Sequence, residues 1–221
     1  MPTKVKICGL RTETALEAAL DGGADFVGLV FFPPSPRYVS LSRAAAIAAK
    51  ARGRAKIVAL LVDPDDALIA DAMAAAAPDI LQLHGQETRE RVADIRSRWA
   101  IPVMKAVAVE TADDARAGLR FSAAADLILF DARAPEQSSR PGGNGAPFDW
   151  RLLAGVAGRA PFVLSGGLTP DNVAEAIRIT GAAIVDVSSG VESRPGEKDP
   201  GLIRRFLCAA KAAAAHSCNR R

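Results

Sequence analysis

Apolar residues in this chain come in short consecutive runs, separated by alanine-rich stretches with helical spacing. The runs are KVKICGL (4–10), ADFVGLVF (24–31), KIVALLV (56–62), ILQLHG (80–85), IPVMKAVAV (101–109), DLILFD (126–131), PFVLSGGL (161–168) and AIVDVSSG (183–190), eight in all. Most are apolar on successive residues instead of alternate ones, as parallel strands buried on both faces require. Between them, TETALEAALDGG, LSRAAAIAAKARG, DDALIADAMAAAA, ETRERVADIRSRW and TPDNVAEAIRITG carry the helical period. Thr12 predicts the cap of the first helix. Thr169-Pro170-Asp171 predicts the cap of the last of these, a hydroxyl before a first-turn proline and an acid that suits the helix dipole. Gly22 and Gly181 stand where those helices should stop.

Eight strands alternating with helices, with a Pro/Gly/Ser-rich interruption only at 132–148, predict a single (β/α)8 TIM barrel domain over residues 1–221, with a polar tail at about 216–221. An open doubly wound sheet is the alternative, weakened because only CGL stands where a G-x-G-x-x-G would follow the first strand.

The chain has 221 residues and 49% hydrophobic content, enough for a substantial core. Its net charge of +3, with both signs interleaved, argues against nucleic acid or a membrane surface as partner and leaves small anions open. Cys8, Cys208 and Cys218 are too few and too scattered for a disulfide framework or a zinc ribbon, which points to a reducing cytoplasm. No stretch approaches the roughly 20 apolar residues of a membrane-spanning helix, and MPTKVK lacks a signal core. A soluble cytoplasmic protein is expected.

Barrel active sites are built at the C-terminal ends of strands. Cys8, Asp63, His84, Asp131, Ser165 and Ser188 to Gly190 occupy such ends. A buried free cysteine is ordinarily a small hydrophobe, so it is this convergence that makes Cys8 a candidate. LSGGLTPDN and VDVSSGVES end consecutive strands in small residues, which predicts phosphate binding by Gly166, Gly167, Ser188, Ser189 and Gly190. The long loop after the sixth strand adds Gly143 and Gly145 to that site, with Asp149 capping the next helix; a plain surface loop is the other reading. Asp63, before Pro64, reads as a helix cap.

KICGL, FFPPSPRYV (31–39), LQLHG, LILFDA, GGNGAPFDW, LSGGL and DVSSGVES occur in the order and register of the phosphoribosylanthranilate isomerases, which the chain resembles up to about Phe206. The resemblance implies a (β/α)8 barrel and an Amadori rearrangement of N-(5-phosphoribosyl)anthranilate, in tryptophan biosynthesis, without metal or organic cofactor. It implies that Cys8 is the general base and Asp131 the general acid. Arg37 would bind substrate, and His84 and Asp186 would support or line the site. The partner is a small sugar phosphate, and the protein would be a monomer or homodimer.

The residues suit that chemistry on their own terms. One acid opens an aminoaldose ring and one base removes the carbon-2 proton of the resulting Schiff base, from opposite sides of the substrate. Desolvation would keep Asp131 protonated, and cationic neighbours such as Lys6 or Arg37 would lower the thiol of Cys8. Pro33, Pro34 and Pro36 stiffen the loop that presents Arg37, whose guanidinium fork matches a planar carboxylate. Asp186 is expected to point into the mouth, toward the substrate's amine or Arg37. Ala146 and Pro147 depart from the lysine and threonine that the family commonly carries before FDW. Competing readings are a metal-dependent pentose-phosphate epimerase, which needs more histidines than His84 and His216, an isomerase serving the histidine pathway as well, and a silent sugar-phosphate binding protein.

Overall fold

The computed structural model describes residues 3–133, 148–156, 158–159 and 161–217, without the side chains of 214–217. Eight parallel strands, β1 (Lys4–Cys8), β2 (Phe26–Val30), β3 (Lys56–Leu61), β4 (Ile80–Leu83), β5 (Val103–Val109), β6 (Leu127–Ala132), β7 (Phe162–Leu164) and β8 (Ile184–Val187), close into a barrel in chain order. Closure is made by β1 on β8, with Lys6 opposite Asp186 in register. Each of the eight apolar runs falls on one of the eight strands.

Helices α1 (Glu13–Asp21), α2 (Leu41–Ala51), α3 (Asp66–Ala76), α4 (Arg89–Trp99), α5 (Ala112–Gly118), α6 (Val173–Thr180) and α7 (Pro200–Ser217) follow the strands, except that a 3-10 helix, Trp150–Gly155, capped by Asp149, follows β6. The main core lies between barrel and helices, where Leu16, Ile47, Ile69, Ile95, Ile177 and Phe206 are buried. The lumen is filled separately by Phe26, Val58, Ile80, Met104, Ala106, Leu129 and Val163. A smaller cluster of Cys8, Val30 and Leu60 forms above them. The barrel is therefore a packed core with its open space at one end.

Two expected caps are placed differently. Thr12 does cap α1, its hydroxyl accepting from the Ala15 N–H. At α3 the cap is Asp65, not Asp63: the Asp65 backbone is extended and its carboxylate accepts the Leu68 N–H at 2.8 Å. Asp63 instead takes φ +44° and accepts the Gln86 N–H at 2.6 Å. At α6 the Thr169 hydroxyl is not the cap: Asn172 precedes the helix, its side chain accepting from Thr169 N at 2.8 Å and donating to Gly167 O at 2.9 Å. That local amide turn competes with helix propagation and delays it to Val173. After β8 comes an element with no counterpart in the sequence reading, the antiparallel hairpin β9 (Glu192–Arg194) and β10 (Glu197–Lys198).

Candidate active site

Side chains alternate in and out along each strand, so a polar residue two places after a lumen-facing apolar one faces the same space nearer the mouth. Leu129 is followed so by Asp131, Val163 by Ser165, Ile184 by Asp186, and Ile80 by Gln82 and His84; Lys6 and Cys8 form the same series on β1. These seven side chains make the polar layer over the apolar lumen. Each is carried by rigid strand backbone or the residue just beyond it.

On the β8 and β1 side, Lys6 is fully buried and its Nζ donates to Asp186 Oδ1 at 2.9 Å. Ser165 Oγ donates to the other oxygen of Asp186 at 3.3 Å. Burial opposes the charge on Lys6, yet the Asp186 carboxylate holds its pKa up to about 12. Cys8, 3% exposed, lies on the same face. Burial pushes its thiol up; Lys6 pulls it down and Asp186 pushes it up again. The expected lowering is therefore corrected: the Lys6 charge is largely spent on Asp186, and the desolvation of the sulfur dominates. Asp186 is turned to Lys6 and Ser165, and not to Arg37.

On the opposite strands, His84 Nε2 lies 3.4 Å from Asp131 Oδ2, with Asp131 6% exposed. Asp131 Oδ1 accepts the Ala132 N–H at 2.9 Å. The buried Gln82 amide nitrogen is 3.3 Å from His84 Nδ1. With that amide as donor, Nδ1 accepts and Nε2 carries the ring proton toward Asp131. Gln82 Oε1 has no partner among the described residues.

Arg37, nearly buried, is bound by Glu192: its Nε and Nη2 donate to the two carboxylate oxygens, both at 2.8 Å. Burial opposes the charge of Glu192, but Arg37 and Lys198 hold its carboxyl below the usual range. Ser35 Oγ accepts the Arg37 N–H at 3.1 Å, a turn within the proline-rich loop.

The glycine loops after β7 and β8 are adjacent. Gly166 and Gly167 take left-handed backbone, φ +87° and +63°. A Cβ on Gly190 would lie 1.8 Å from Leu168 O, so only glycine lets these two loops touch. Ser189 and Gly190 begin a single 3-10 turn. The Ser188 hydroxyl donates to Cys8 O at 3.1 Å and accepts from Lys198 Nζ at 3.2 Å. Gly143 and Gly145 lie outside the described residues. The structure thus brings Cys8, Lys6, Asp186 and Ser165 into one cluster, His84, Gln82 and Asp131 into another, and the glycines of β7 and β8 into a third.

Glu192 and Lys198 escaped sequence reasoning, although Glu192 sits inside the quoted DVSSGVES. Nothing in the polar stretch ESRPGEKD marks either as buried; their burial is visible only in the folded hairpin.

The family model for N-(5'-phosphoribosyl)anthranilate (PRA) isomerase matches residues 5–209. An N-(5'-phosphoribosyl)anthranilate isomerase of Rhodopseudomonas palustris (strain BisA53) is 58% identical over 212 residues, 96% of this chain and 97% of the relative. The crystal structure of phosphoribosyl anthranilate isomerase from Thermotoga maritima superposes with a TM-score of 0.86 at 37% identity, covering 95% of this chain and 99% of that one. A phosphoribosyl anthranilate isomerase in complex with reduced 1-(o-carboxyphenylamino)-1-deoxyribulose 5-phosphate has a TM-score of 0.83 at 35% identity, with the same coverage. A closed barrel with this polar layer at its mouth, matched in sequence along nearly its whole length, makes the chain a member of the N-(5'-phosphoribosyl)anthranilate isomerase family.

Proposed function

We propose that the protein performs an Amadori rearrangement of N-(5'-phosphoribosyl)anthranilate to 1-(2-carboxyphenylamino)-1-deoxyribulose 5-phosphate by general acid and base catalysis. Asp131, as acid, gives its proton to the ring oxygen and opens the aminoaldose to a Schiff base. Cys8, as thiolate, takes the carbon-2 proton to leave an enolamine. In the tautomerisation to the ketone the Asp131 carboxylate takes the proton of the carbon-2 hydroxyl and the Cys8 thiol returns its proton to carbon 1, so both groups are reset. His84 faces the Asp131 oxygen and steadies the carboxylate that remains after proton donation. The phosphate is taken by backbone N–H groups of the two adjoining glycine loops, with Gly166, Gly167, Ser189 and Gly190 at its rim. Arg37 meets the anthranilate carboxylate, and Asp186 acts on the thiol through Lys6.

The observation that carries this reading is that Cys8 on β1 and Asp131 on β6 share the lumen-facing register near the same end of one barrel. The free thiols of Cys8 and Cys208 fit a reducing cytoplasm. Incubating the purified protein with freshly generated phosphoribosylanthranilate tests the reading. Conversion to the carboxyphenylamino-deoxyribulose phosphate is expected; tight binding of the reduced product with no turnover would mark a binding protein instead.

A further inference from the structure

The guanidinium of Arg37 belongs to a buried cluster of three charges that the acid and base chemistry leaves unused. Glu192 grips its Nε and Nη2 edge at 2.8 Å on both oxygens, and Lys198 Nζ donates to Oε1 of the same carboxylate at 2.5 Å. Lys198 donates further to Ser188 O at 3.0 Å. The three side chains are 6%, 4% and 1% exposed for Arg37, Glu192 and Lys198, so solvent screens them weakly.

Glu192 and Lys198 are paired opposite each other on the β9 and β10 hairpin. The hairpin is seated on the loop that carries Arg37: a Cβ on Gly196, at φ +85°, would come 2.4 Å from Pro36 O. Pro36 O also accepts from Arg11 Nη1 at 2.7 Å. One element therefore brings both Glu192 and Lys198 up to the arginine.

The signs of charge matter most. A carboxylate forked onto an arginine fixes its plane but cancels its attraction for a second carboxylate. A lysine on the far side of that first carboxylate offsets its negative charge, so these three side chains together carry a single positive charge. Orientation and charge are thus supplied by separate residues.

We propose that Glu192 and Lys198 are positioning residues, Glu192 setting the plane of the Arg37 guanidinium and Lys198 restoring its positive potential for the aromatic carboxylate of the substrate. The inference rests on the function proposed above and deepens it to specificity for an ortho-carboxylated amine. Neither residue touches the reacting atoms.

Binding, and not turnover, is the appropriate readout, because Lys198 also bears electrostatically on Cys8. Two probes are compared by calorimetry: the reduced carboxyphenylamino-deoxyribulose phosphate and its counterpart with an unsubstituted phenyl ring. Lys198→Met should weaken the carboxylated probe by about tenfold or more, the scale of losing one close charge interaction, and shift the phenyl probe by less than about twofold. Lys198→Arg should restore most of the lost affinity. Glu192→Asp, which keeps the negative charge but draws the carboxylate back from the guanidinium edge, should produce the same probe-selective loss through lost orientation, and it stands as the second test should Lys198→Met fold poorly. Equal losses for both probes, or no loss for the carboxylated one, overturn the inference. Failure of the unsubstituted protein to bind either probe overturns the proposed function instead.

Discussion

Nζ of Lys6 donates to Oδ1 of Asp186 at 2.9 Å inside the barrel lumen, two residues before Cys8 on the same face of β1. The pair joins the first and last strands at the seam of the barrel. It also sets the field at the sulfur, since Lys6 favours the thiolate and Asp186 opposes it.

Because burial pushes the Cys8 thiol up, the thiolate fraction keeps rising above neutral pH. kcat/KM should climb into the alkaline range instead of levelling near pH 7. Lys6→Met removes the cation and leaves the anion, so the rising limb should move to higher pH. Asp186→Asn does the reverse and should move it lower. Profiles of kcat/KM against pH for the three proteins check this; a limb that stays in place in both variants removes Cys8 as the titrating base.

The same lysine makes a statement about stability. Its pKa in the fold, about 12, lies above its ordinary 10.5. A raised folded pKa contributes stability that is fully present below the unfolded value and lost as pH rises through the folded one. The urea midpoint should fall across about pH 10.5 to 12, and the fall should be shallower in Lys6→Met/Asp186→Asn. Identical slopes in the two proteins would contradict the assignment.

Glu87 and Lys105 form a second buried pair, with side chains 2% and 4% exposed. Glu87 also accepts the N–H groups of Asp63 and Gly85, and so ties the loops after β3 and β4 together. Glu87→Ala leaves the Lys105 ammonium buried without its carboxylate and should cost about 3–5 kcal/mol. Urea titration measures it; a loss under about 1 kcal/mol, the scale of a surface pair, would show that the pair is in effect solvated.

His84→Gln tests the steadying of Asp131. Misplacing an acid while leaving it present should lower kcat roughly 10- to 100-fold with little change in KM. Gln82→Leu, which removes the amide facing Nδ1, should fall between that variant and the unsubstituted protein. Unchanged kcat in His84→Gln would reduce the histidine to a wall of the site.

The strands were legible because parallel strands bury both faces, and ADFVGLVF or KIVALLV leaves the chain few other options. Thr12 and Gly181 were legible because capping is local chemistry. Cys8 and Asp131 could be singled out because barrel chemistry sits at strand ends. The pairing of Lys6 with Asp186 was not legible, since it depends on the closing register of strands 180 residues apart. Nor was the raised thiol of Cys8, since burial belongs to the packed state and a nearby lysine on the same face gave the opposite sign. Glu192 and Lys198 stand on strands of three and two residues, too short for alternation to register. Asp63 and Thr169 failed as caps because the Asp63 carboxylate is turned to the Gln86 N–H across to the next loop, and a competing asparagine turn delays the start of α6.

Turnover of phosphoribosylanthranilate by Cys8→Ala and Asp131→Asn, measured alongside their affinity for the reduced product, is the decisive comparison. Both variants should keep binding while kcat drops by about 10²- to 10⁴-fold, the range for removing a general acid or base. Turnover within a few-fold of the unsubstituted protein in either variant would show that its side chain moves no proton.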